Sequence, residues 1–285
     1  MDAVRTIADA VLYEGYILWP YRRSALKNTR RFTFGSLEPG ERMRTEVLQE
    51  GGGNLAITIR FLQAVHRQLY RAGEPLDELT VDGQRHVSWE EATERELSIA
   101  GPGRTSIAIA SDRVEERLSE DASVLRSWGT LEGIVSVESE PLRPGLARVS
   151  VDIANTTPDD GTFYSTHTIL HVDGGSFVSS LDPEAEEACR NEGTWPVLVG
   201  DPGDRSTMLS SAIILEEYPR VAPESPGDFF DGAEIDQLLT LNILGLTDEE
   251  KEEMRASDPR AREILERTES MTPEQLMRLH GVMRP

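Results

Sequence analysis

The chain has a single cysteine, Cys189, in 285 residues. One thiol cannot form an internal disulfide, and it leaves no cysteine-rich metal site and no cysteine-held iron–sulfur cluster. Long apolar runs are missing too: no stretch of about 18 apolar residues occurs, so no transmembrane helix is expected. No basic-then-apolar leader with a small-residue cleavage site stands at the start. Together these absences make the cytoplasm the expected compartment. Positive charge is scarce, with 29 Lys and Arg against 51 Asp and Glu and a formal net charge of −22. A surface of that sign repels nucleic acid and anionic lipid, so neither is an expected partner. Catalytic signatures are lacking as well. There is no G-x-S-x-G elbow, and "GPGRTS" at 101–106 has neither the Walker lysine nor the third glycine of a dinucleotide fingerprint.

A hydrophobic share of 38% and a charged share of 28% fit one or two globular domains with a substantial core. Val4, Ile7, Ala8, Val11 and Leu12 fall at helical spacing, and Tyr16 and Trp19 extend the stripe. The spacing predicts an amphipathic helix over 3–18, stopped by Pro20. A basic strap follows, and "RFTFGSL" reads as a short strand. From Met43 the pattern turns to strand. "MRTEVLQE" alternates until three glycines at 51–53 interrupt it. In "LAITIRFLQAVHRQLY" the residues Phe61, Val65 and Leu69 suit a helix as well as a strand, and the type stays open. "TSIAIAS", "GTLEGIVSVESEPL", "LARVSVDIANTT" and "STHTILHV" alternate with period two. Pro144-Gly145 and Asp173-Gly174 are hairpin punctuation.

Pro183 opens a short helix ended by Gly193, and two further strands are expected in "WPVLVG" and "SSAIILEEYP". Residues 219–232 carry proline punctuation and read as an ordered loop. Beyond it lie "AEIDQLLTLNIL", closed by Gly245, a capping box from Thr247 to Glu250, and the cap-plus-proline pairs Asp258-Pro259 and Thr272-Pro273. The expected class is therefore α+β: an antiparallel β-rich core, sandwich or open barrel, at 32–218. An N-terminal amphipathic helix and strap (1–31) precede it, and an acidic loop with a run of short C-terminal helices (219–285) follows.

Candidate chemistry is sparse. His167 and His171 have H-x-x-x-H spacing, but on a strand four residues span about 13 Å, too far for one metal ion. Cys189 follows Glu184, Glu186 and Glu187, which disfavour a thiolate. Asp228, Asp231, Glu234 and Asp236 lack the spacing of a calcium loop, and Asp231 reads better as a helix N-cap. No catalytic residue, cofactor or metal is assigned. The most unusual stretch is "YEGYILWPYRRSALKNTRRF" at 13–32, a basic and aromatic cluster in an acidic chain. Its economical reading is pairing in cis with acids of the loop or tail, and its runner-up is partner docking. Aromatics flanked by charge are suited to binding hot spots. On that ground the partner-binding candidates are Tyr16, Trp19, Tyr21, Arg22, Arg23, Lys27, Phe229, Phe230, Asp231 and Glu234.

Several long phrases resemble an uncharacterised family encoded in actinobacterial gene clusters for high-affinity uptake [NiFe]-hydrogenases. They are "ADAVLYEGYILWPYRRSALKN", "HVDGGSFVSSLDP", "WPVLVG", "APESPGDFFDGAEIDQLLTLNILGLTDEEKEEMR" and "ERTESMTPEQLMRLHG". The resemblance spans nearly the whole chain and is weakest over 63–139. It implies a role beside a hydrogenase, in assembly, maturation or as a structural accessory, with a hydrogenase subunit or maturation factor as protein partner; the lack of a catalytic motif makes a non-enzymatic accessory the expectation. It transfers no catalytic residue. Two rival expectations are a hydrolase-type enzyme with a pocket between the β core and the 222–232 loop, and a divalent-cation-binding module.

Overall fold

The computed structural model describes residues 2–18, 20–22, 25, 28, 34–220, 230 and 236–278. In chain order the elements are α1 (Asp2–Tyr13), β1 (Arg42–Glu50), β2 (Asn54–Arg71), β3 (Glu74–Leu76), β4 (Glu78–Val81), β5 (Gln84–Val87), β6 (Trp89–Ala100) and β7 (Gly103–Ile109). Next come β8 (Asp112–Arg117), β9 (Ala122–Trp128), β10 (Leu131–Arg143), β11 (Leu146–Asn155), β12 (Tyr164–Asp173), β13 (Ser176–Phe177), α2 (Pro183–Ala188), β14 (Trp195–Leu198) and β15 (Thr207–Ser211). The tail holds α3 (Asp236–Leu244), α4 (Asp248–Ser257), α5 (Pro259–Glu269) and α6 (Pro273–Arg278).

The strands pair antiparallel into two main sheets. One has the order β13-β1-β11-β10-β7; the other has β14-β15-β12-β2-β9-β8, with β6 and β3 also paired to β2. The two face each other as a sandwich. Alternation along β11 turns Val149, Val151 and Ile153 inward, and β2 offers Leu55, Ile57, Ile59 and Phe61 from the opposite sheet. Phe61 and Phe163 stack with centroids 4.5 Å apart. Gly133 makes room for this pair, since a Cβ there would lie 2.9 Å from the Phe163 ring. A Thr45–Ser210 hydroxyl contact of 2.9 Å ties the sheets together through their buried interior.

The strand β2 explains why its type was open in the sequence. Its middle is buried without interruption from Ile59 to Gln63, because the sandwich core covers one face and a helical layer covers the other. A strand buried on both faces loses its period-two signature. The second face packs Leu62 against α1 and the C-terminal helices, while Leu209 and Val197 meet Ala8 and Val11 of α1. The outer face of the five-stranded sheet is polar along β1 and β11, except where α2 covers Leu48 and Leu146.

Several local expectations change. The first helix ends at Tyr13, not 18: Gly15 takes φ +73° and its N–H reaches the Phe230 carbonyl at 2.9 Å, turning the chain inward. The turn after Asp173 is no hairpin. It passes the chain from the larger sheet to β13 on the other sheet. The strand expected in "SSAIILEEYP" sits earlier, at Thr207–Ser211, because the pairing of β15 with both its neighbours ends at Ser211. Helix α2 stops at a Cys189 C-cap, before Gly193. In "RFTFGSL", Leu37 forms only an isolated bridge to Phe163, and 31–33 lie outside the described residues.

Candidate functional site

The distinctive chemistry lies where the helical layer meets the larger sheet. One rung of that sheet carries Glu96, Arg60, His167 and Ser211 side by side on β6, β2, β12 and β15. They point away from the sandwich core, and α1 covers them. Arg60 is 1% exposed. Its Nη2 lies 2.6 Å from Asp9 of α1 and 3.3 Å from Glu94, and its Nε lies 3.4 Å from Glu96. Arg5 of α1 reaches Glu96 at 2.7 Å. A buried guanidinium is tolerated only when paired, and three carboxylates from two elements meet that demand.

His167 is fully buried beside Arg60, with Nδ1 3.0 Å from the Ser165 carbonyl. A carbonyl only accepts, so Nδ1 carries the proton and Nε2 keeps its lone pair. Burial pushes this histidine down to about 4, the Ser165 bond opposes that, and Arg60 adds to it, so the ring is neutral at pH 7. Its Nε2 and the Nη1 of Arg60 are buried without a hydrogen-bond partner. The rung therefore combines strong pairs with two unsatisfied atoms. It fastens α1 and encloses its one basic nitrogen.

A second cluster fastens the tail. Tyr13 donates to Glu94 at 2.6 Å, and burial with that bond raises its pKa, so the phenol stays a donor. The Arg260 guanidinium of α5 lies 3.9 Å over the Tyr13 ring and 5.4 Å from the Tyr16 ring, and it donates to the Tyr13 hydroxyl. Tyr16 donates to Asp258 at 2.8 Å. Asp258 is itself the α5 N-cap, accepting from the Arg260 N–H at 2.9 Å. One carboxylate thus starts a helix and anchors it to the N-terminal segment. Nearby, Asn28 accepts from the Leu18 N–H at 2.8 Å and donates to the carbonyls of Leu18 (2.9 Å) and Arg22 (3.1 Å), which folds the strap.

The sequence-derived candidates separate on this geometry. Tyr16, Tyr21 and Phe230 are at most 8% exposed and lie in the helical core; Tyr13 and Phe230 have centroids 5.7 Å apart. As described, they are interior packing and not exposed anchors. Their large apolar area is buried against Leu239, Ile243, Met254, Ile264 and Leu265 of the tail helices. Arg22 pairs with Glu250 at 3.1 Å and Glu253 at 3.8 Å, so this base of the strap meets acids of the tail. Trp19, Arg23, Lys27, Phe229, Asp231 and Glu234 lie outside the described residues, as does most of the 222–232 loop proposed as a pocket wall. Sequence reading missed Arg60, Glu94 and Arg260, and gave Asp258 as a helix cap without its bond to Tyr16. A lone Arg among apolar strand residues at 55–62 was the available signal for the first.

The other candidates are structural. Burial pushes the Cys189 thiol up to about 11, with Glu46 adding to the effect, so it stays protonated. His171 bonds Thr207 Oγ1 at 2.9 Å and His167 bonds Ser165, so the two rings have separate partners. Among the described residues no group of three or more His, Cys, Asp or Glu is placed to hold a metal ion. The described helices include none long and apolar enough to cross a membrane.

The tail also has an outward face. On α3, Leu239, Thr240 and Ile243 are buried, while Leu238 and Leu241 are 48% and 49% exposed. The helix is apolar on both sides, with one side docked and the other bare. Fold and site together define an antiparallel β-sandwich with a helical layer clamped onto one sheet by aromatic and ionic contacts. No protein-family model matches the chain, and no curated protein matches it.

Proposed function

We propose that this protein is a non-enzymatic accessory of a [NiFe]-hydrogenase system, acting in assembly or maturation by binding a protein partner. The hydrogenase connection rests on the sequence phrases described above. The observation that carries the binding mode is the exposed Leu238–Leu241 pair on α3, held in place by a tail whose other face is anchored to the sandwich. A helix that is apolar on both faces favours a second covering surface. The flanking helix α4 begins with Asp248, Glu249 and Glu250, which favours a partner with a basic rim around an apolar centre.

The test uses the full-length chain in its native host. Affinity capture should recover a hydrogenase subunit or maturation factor, and Leu238→Ser with Leu241→Ser should reduce recovery at least tenfold at unchanged melting temperature. Deleting the gene should lower hydrogenase activity. Capture that recovers no hydrogenase component, together with normal activity after deletion, would refute the proposal.

A further inference from the structure

The sandwich is open at the end where the turns β1–β2, β6–β7 and β10–β11 gather. A cleft of about 1010 Å³ lies there, lined by Gln49, Leu55, Ser139, Pro141, Leu142 and Ala147 together with turn backbone. The strand register shows how it arises. Val47 and Val149 are partners within the filled core, and Val149 also faces Ser139. One rung further out, Gln49, Ala147 and Pro141 are partners. Ala147 thus stands where Val149 fills the rung below, and the space between the sheets is left open at the surface. The glycine turn keeps the mouth wide. Gly53 takes φ +99°, and a Cβ on it would come within 2.5 Å of the Asp173 carbonyl. The β1–β2 turn therefore lies flat against the turn at 173–175, and its backbone at Gly52 and Gly53 forms part of the cleft wall.

The chemistry of the lining is unusual for so charged a chain. Its one ionisable side chain is Arg143, which Glu184 holds with both oxygens at 2.9 and 3.1 Å. Gln49 is 7% exposed and gives its amide N–H to the Gly52 carbonyl at 2.6 Å, leaving its side-chain oxygen as an acceptor. Strand addition along β10 is disfavoured. Glu132 bonds towards β11, through the Thr156 N–H and Thr157 Oγ1, so odd-numbered residues of β10 face the other edge. Beyond the last pair with β7, at Val137, that edge offers Ser139 and then Pro141, which has no N–H.

We propose that this mouth binds a neutral, mainly apolar small molecule with a single hydrogen-bond donor at one end, such as a long-chain alcohol. The volume falls at the upper end of the ordinary range for ligand sites, and an apolar wall with a few fixed polar groups is their usual lining. A charged ligand would lose its hydration against Leu55, Pro141 and Ala147 without gaining an unpaired counter-charge, since Arg143 is already held by Glu184. This site lies apart from the helical layer and is independent of the hydrogenase reading.

The test is fluorescence of N-phenyl-1-naphthylamine with the full chain, and its displacement by 1-dodecanol, dodecanoate and dodecylammonium below their aggregation concentrations. Dodecanol should displace the dye at a concentration at least tenfold lower than either ion. Its methyl ether, lacking the donor, should bind about fivefold more weakly, the scale of one neutral hydrogen bond. Ala147→Phe fills the mouth and should abolish dye binding. Leu142→Asp, at a rim position that is 40% exposed, keeps the fold and should turn the preference towards dodecylammonium. Failure of the dye to bind, equal displacement by dodecanoate, or an unchanged preference in Leu142→Asp would each overturn the proposal.

Discussion

The sandwich and the helical layer are assembled on different physical terms. Within the sandwich, aliphatic rungs such as Val47, Val149 and Val151 meet Ile57 and Ile59 across the sheets, and backbone pairing sets every neighbour. In the helical layer the aliphatic contribution is thinner, and Tyr13, Tyr16 and Arg260 stack while Arg60, Asp258 and Glu94 supply directed contacts. A core of the first kind feels even a small change in side-chain volume and gives way as one cooperative unit. An attachment of the second kind depends on a few named groups and can be weakened without disturbing what lies beneath.

Four substitutions or conditions probe that difference, in falling order of effect. Phe61→Ala removes half of the stacked pair in the sandwich and should cost about 3–5 kcal/mol. Urea melts followed by circular dichroism should show sheet and helix lost together at the lower midpoint. Acidification should act on the seam between the regions. Because burial holds His167 at about 4, below the ordinary 6.5, the unfolded chain takes up this proton first as pH falls. Its contribution is whole above about pH 6.5 and fades as pH drops towards 4, by at most about 3 kcal/mol. In His167→Gln this part of the acid limb should flatten, and an unchanged slope between pH 6.5 and 5 would contradict the assignment.

Tyr16→Phe removes the donor to Asp258 and should cost about 1.5–3 kcal/mol, because the bond is to a carboxylate. Hydrogen exchange should speed up in α4 and α5 while β10, β11 and β12 keep their protection. Equal loss across both regions would show that the tail and sandwich form one cooperative unit. Thr247→Ala breaks the capping box with Glu250 and should cost about 1 kcal/mol. Faster exchange should stay within the first turn of α4.

Local features were legible because their causes are local. The capping box at Thr247, the proline-led starts of α2 and α5, the alternation of β10 and β11 and the turn at Pro144-Gly145 all rest on interactions within a few residues, and each is present in the fold. The type of β2 was not legible, since both of its faces are covered by segments distant in sequence. Nor was the length of β15, which ends where its neighbours end. The basic strap was half legible. Charge imbalance foretold that Arg22 would find acids of the tail, but nothing near it named Glu250 and Glu253.

The sequence by itself therefore determined the α+β class, the boundaries of the capped tail helices and the inward faces of the alternating strands, because steric preference and capping act over one or two turns of chain. Tertiary structure alone decided that Tyr16 meets Asp258 across 242 residues of chain. It also placed Arg60 beside His167 under α1, and left the rung of Gln49, Ala147 and Pro141 at an open mouth. Those meetings follow from strand register and from which sheet faces the helices cover, and both are settled only when the whole chain packs.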